Sequence, residues 1–133
     1  MEALSTELWM VILTSVWCVL LTLVLAVGRA VTPGGTAWAT SNRHTLIDLP
    51  PWVQRAQRAH VTAIENVVPF AALVLIIHIT GRSTDTTVTA AVVFAICRLT
   101  HSVSYVLGLV PWRTIIHSVG IGALLALLTA FIP

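Results

Sequence analysis

Arg55, Arg58, Thr62 and Glu65 interrupt an otherwise apolar stretch, Arg55-Ala-Gln-Arg58-Ala-His60-Val-Thr62-Ala-Ile-Glu65-Asn66. On a helix turning about 100° per residue these four side chains fall within an arc of about 80°, so they share one polar, ionic face. A second set, Arg98, His101 and Tyr105, repeats the helical spacing, and Arg113 and His117 form a third pair one turn apart. Guanidinium groups bind carboxylates and phosphates through paired hydrogen bonds, a glutamate suits an ammonium group, and histidine and tyrosine move protons. Arg55, Arg58, Arg113 and Arg43 outnumber the acids in the same part of the chain, Glu65 and Asp48, which leaves a cationic excess suited to an anionic ligand.

The elements that carry these residues are membrane spans. The chain has 133 residues, 57% of them hydrophobic and 9% charged, with a mean hydropathy of +0.94. Soluble domains do not have this composition. The seven basic residues are all arginines, and a formal charge of +2 is too small, and too dispersed, for nucleic-acid binding. Cys18 and Cys97 both lie in apolar runs without metal-ligand or CxxC spacing, so they read as buried apolar side chains. The first apolar run follows Glu2 and Glu7 rather than a basic segment, and is expected to remain as a span.

The sequence therefore predicts an all-α membrane protein, a single four-transmembrane-helix bundle, with helices over about 7–29, 51–79, 86–109 and 112–131. A polar loop over about 30–50, rich in Gly, Pro, Ser and Asn, joins the first two, and Trp38 and Trp52 suit the membrane interface. Pro51 suits the first turn of the second span, and Pro69 is expected to kink it. Arg29, Arg43, Arg55, Arg58 and Arg113 lie on the side of that loop, which makes it cytoplasmic and both termini extracytoplasmic.

Depth then brings the three sets together. Glu65 lies about 15 Å along its helix from Arg55, and Tyr105, His101 and Arg98 lie about 5, 10 and 15 Å in from the same membrane face. An unpaired charge at the bilayer centre costs about 2.5–3.5 kcal/mol or more, so Glu65 is expected to pair with Arg98. Three readings stay open: a ligand site, interhelical staples in a non-catalytic binding or scaffold protein, and a small transporter with Glu65 as proton relay. A His101 and His117 pair is a conceivable ligand set for haem or a metal, whereas His78 lies near the other membrane face.

The residues resemble the MAPEG family, the membrane-associated proteins in eicosanoid and glutathione metabolism. The resemblance rests on Arg55-x-x-Arg58-Ala-His60-x-x-x-x-Glu65-Asn66, on Arg98-x-x-His101-x-x-x-Tyr105 and on Pro111-x-Arg113, in order along the whole chain. It implies a homotrimer with glutathione as co-substrate, no metal, and sites between subunits in the cytoplasmic half. Arg55, Arg58, Thr62, Glu65, Arg98, His101, Tyr105 and His117 would bind glutathione, with Arg113 and Tyr105 catalytic and Arg113 holding the thiolate. The implied activity is that of a membrane-bound transferase or peroxidase in detoxification, its second substrate a lipophilic electrophile or hydroperoxide from the lipid bilayer. Thr62, where the family commonly has Asn, and His117, where some members have Tyr, mark a divergent member of bacterial type, and an inner membrane is the implied location.

Overall fold

A computed structural model describes residues 4–132. Its elements are α1 (Thr6–Ala30), α2 (Gly35–Thr40), α3 (Pro51–Ile79), α4 (Asp85–Leu107) and α5 (Val110–Ala126), after which Leu127–Phe131 tighten into a 3-10 turn. No strand occurs among the described residues. Four helical stretches, Thr6–Ala30, Pro51–Ile79, Asp85–Leu107 and Val110–Phe131, are long and apolar enough to cross a membrane.

The helix ends follow from local chemistry. Ser5 caps α1 by accepting from the Leu8 amide, and Thr84 and Thr87 exchange side-chain and backbone hydrogen bonds to open α4. Pro51 and Pro111 occupy first turns, where a missing N–H costs nothing. Gly108, at φ 78°, closes α4 in the left-handed conformation that glycine adopts without penalty, and the chain reverses at once into α5. The final span starts earlier than residue 112 because Leu109 and Val110 already follow that reversal, and it ends in 3-10 geometry, as helix termini often do. Helix α3 runs unbroken through Pro69. The loop before it holds an unexpected short helix, α2, which enters through Gly34 at φ 72°.

Helix α4 is the centre of the bundle, packing against α1, α3 and α5, while α1 also packs on α3. Ala90, Ala91, Ala95, Ser102 and Ser104 on its buried faces let the neighbouring backbones approach closely. One half of the bundle is a continuous apolar core of Val67, Phe70, Val74, Ile77, Ala90, Ala91, Phe94, Ala123 and Leu127. Phe70 and Phe94 stack there at 4.1 Å between ring centroids. The other half has a smaller cluster, Leu25, Leu49, Val53 and Ala56, and it is here that the polar residues gather.

Candidate functional site

Helix α3 brings Gln54, Gln57, Arg58, Val61 and Thr62 to one wall of an open cavity of about 430 Å³, and Tyr105 from α4 closes it. Thr62 and Tyr105 also line a second cavity of about 270 Å³, together with His101 from α4 and Arg113, Thr114 and His117 from α5. The two cavities adjoin across Thr62 and Tyr105, so side chains from three helices border one recess. No carboxylate stands among these lining residues.

The rings inside the recess touch in sequence. The Arg113 guanidinium lies 4.4 Å over the Tyr105 ring, a cation–π contact that fixes both side chains. The edge of Tyr105 meets His101 at 5.7 Å between centroids, and His101 meets His117 at 5.4 Å. His101 is only 3% exposed, so a wall of the recess lies deep in the bundle. Among the described residues no group of three or more His, Cys, Asp or Glu side chains is arranged to hold a metal ion. The recess is thus a place where cations and hydrogen-bond donors surround space for an anion.

Six of the residues singled out in the sequence meet here: Arg58, Thr62, His101, Tyr105, Arg113 and His117. The other three take different positions. Arg55 turns to α4, where its Nε donates to the Val106 carbonyl at 2.9 Å and its guanidinium packs on Gly108. A cation at a helix C-terminus is favourable, and this one ties the start of α3 to the end of α4. Glu65, midway between Pro51 and Ile79, is exposed on the surface of the chain.

Arg98 is 1% exposed and borders neither cavity. The expected Glu65–Arg98 pair is absent. Arg98 instead donates to α5, to the His117 carbonyl at 3.3 Å, and contacts the His117 ring nitrogen Nδ1 at 3.5 Å. The reason is rotational: side-chain spacing fixes which residues share a face of one helix, not which neighbour that face meets, and the Arg98 face of α4 turns to α5. His60 is 3.0 Å from the Thr22 hydroxyl of α1. Trp38 lies under two guanidinium groups, Arg29 at 5.9 Å and Arg43 at 5.5 Å, and its indole N–H donates to the Thr45 carbonyl.

Gln54, Gln57 and Thr114 were not singled out in the sequence. The signal was there for the glutamines, since Gln54, Gln57, Arg58, Val61 and Thr62 recur at the three- and four-residue spacing of one helix face. Thr114 gives no such signal, being one of many hydroxyls in the chain.

The chain is 30% identical over 76 residues to microsomal glutathione S-transferase 1 of Bos taurus, an alignment that takes in 56% of this chain and 49% of that protein. The chain thus spans about half the length of the curated relative it matches. No solved structure gave a significant match. The profile of the MAPEG family matches residues 8–132, and with it the four apolar helices, so the chain is an integral, multi-pass membrane protein that belongs to the MAPEG family.

Proposed function

We propose that the chain is a glutathione-dependent transferase or peroxidase that acts on lipophilic electrophiles or hydroperoxides arriving from the bilayer. The observation that carries this reading is the recess itself: Arg58, Arg113, Tyr105, His101, His117 and Thr62 converge on open space without a carboxylate among them. Glutathione offers two carboxylates, an ammonium group and a thiol. Arg58 suits a carboxylate, and Glu65 suits the ammonium group.

A thiol is a poor nucleophile until it loses its proton, and a guanidinium beside the sulfur favours the thiolate. In this reading Arg113, held over Tyr105, performs that task. The thiolate then attacks the electrophilic carbon, a C–S bond forms, and the leaving group departs with its bonding electrons. With a hydroperoxide, the sulfur attacks the outer oxygen and the O–O bond breaks to give an alcohol. A second glutathione then reduces the sulfenic acid to the disulfide and water.

The exposure of Glu65 and Arg58 supports a homotrimer with shared sites. A carboxylate halfway along a span costs about 2.5–3.5 kcal/mol in hydrocarbon, and a neighbouring copy or a bound ammonium group removes that cost. The arginine-rich side, with Arg29, Arg43, Arg55, Arg58 and Arg113, supports a cytoplasmic-facing site and extracytoplasmic termini, while the proposed bacterial inner membrane rests on the departures from the family pattern at Thr62 and His117.

The test is conjugation of a chlorinated nitrobenzene with glutathione by purified protein in detergent. Turnover that Arg113→Ala removes, with the oligomer intact, is the expected result; no turnover and no glutathione binding sinks the reading. One observation favours a non-catalytic scaffold: Arg55 and Arg98 both make interhelical hydrogen bonds. On that reading Arg58→Ala and Glu65→Ala damage assembly rather than ligand affinity.

A further inference from the structure

Arg98 is among the largest fully buried side chains of the protein, and it faces no ligand cavity. Its guanidinium lies 5.4 Å from the Phe94 ring centroid and over Gly120 of α5, while its Nε has no hydrogen-bond partner. A Cβ at position 120 would overlap Nη2 outright, so Gly120 is the notch that admits the guanidinium between α4 and α5. From there one residue takes both terminal nitrogens: Nη2 donates to the His117 carbonyl and Nη1 meets His117 Nδ1.

A guanidinium donates and cannot accept. As a hydrogen bond, the 3.5 Å Nη1 contact can use only the lone pair of Nδ1, and an imidazole with that lone pair on Nδ1 is neutral with its proton on Nε2. The Nδ1 edge is taken by Arg98, and the ring lines the cavity shared with His101, Tyr105 and Arg113. We propose that Arg98 is a positioning residue: it locks His117 as the neutral Nε2–H tautomer and so gives the cavity a fixed hydrogen-bond donor for an anionic ligand atom. Under the glutathione reading, on which this last part rests, that atom is the thiolate sulfur, which then has Arg113 as its cation and His117 as its N–H donor. The groups that face His117 are Arg98 and His101 from α4 and Arg113 one turn earlier on α5.

The experiment is a nitrogen-15 spectrum of histidine-labelled protein in detergent at neutral pH, with the His117 signals assigned by their loss in His117→Gln. The expected spectrum has an unprotonated Nδ1 and a protonated Nε2. Arg98→Met, which keeps the bulk and removes the donors, is expected to shift His117 towards a mixture of tautomers, and Arg98→Lys to restore part of the bias. Gly120→Ala keeps the charge and displaces it, so it moves the same signals without deleting the arginine. In glutathione titrations Arg98→Met weakens binding about tenfold, and costs nothing further once His117 is already Gln. An Nδ1-protonated or doubly protonated His117 in the native protein, or signals that ignore both Arg98→Met and Gly120→Ala, overturns the proposal. If the native protein shows the expected tautomer and yet binds no glutathione, the tautomer lock stands and the functional reading alone falls.

Discussion

In one half of the bundle the Glu7 carboxylate, 3% exposed, accepts hydrogen bonds from the Ser83 and Thr87 hydroxyls at the start of α4. Beside it Phe70, Phe94, Val74, Ile77 and Leu127 pack in one apolar cluster. In the other half Arg58, Tyr105, Arg113 and His117 border open space, and Arg98 keeps a buried Nε without a partner. Both halves hold charge inside a membrane protein. In the first, two hydroxyl donors meet the carboxylate and the start of α4 is anchored; in the second, donors are left facing a recess. On the proposed function, stability and ligand chemistry fall to opposite halves of the same helices, with α4 running through both.

The division makes substitutions separable, and the largest expected effect is in the apolar half. Phe70→Ala removes one member of the 4.1 Å stack and should destabilise the fold by about 3–5 kcal/mol, read as detergent-phase thermal unfolding. Glutathione affinity per folded protomer should hardly change, and a large loss of affinity without loss of stability would break the comparison. Arg113→Ala is the mirror image. It should lower conjugation about 100-fold, read as kcat/KM with a chlorinated nitrobenzene, while the unfolding temperature stays near that of the native protein. Glu7→Ala should cost about 1–3 kcal/mol by leaving the Ser83 hydroxyl without its acceptor, while Thr87 keeps the Thr84 carbonyl, with no effect on turnover. The smallest effect belongs to Thr22→Ala, which removes an exposed contact to His60 and should cost less than about 1 kcal/mol in the same unfolding assay.

The comparison also marks what the sequence could convey. Arg98, His101 and Tyr105 were legible as one face because helical spacing is a property of a single chain segment. That Tyr105 and Arg113 would meet followed from the short connection at Gly108, which forces α5 back alongside α4. The partner of Arg98 was not legible, since the rotation of α4 about its own axis depends on the small residues Ala91, Ala95 and Gly120 packing in space. Glu7 stood out in the sequence only as an acid at the start of the first apolar run; its seat on Ser83 and Thr87 depends on α1 and α4 meeting. Helix α2 was hidden in a loop whose glycines and proline argue for turns, and Gly34 supplies the turn that begins it.

Arg55 shows how two roles can share one motif. Its place beside Arg58 suggests a ligand residue, yet the α4 carbonyl terminus claims it, and only Arg58 of the pair reaches the cavity.

A calorimetric titration of glutathione into purified protein in detergent tests the central claim most directly, that the recess is a glutathione site. Saturable binding is predicted, weakened by Arg58→Ala and Arg113→Ala while both variants unfold at the native temperature. Absence of binding to the native protein, or binding that neither substitution changes, would contradict it.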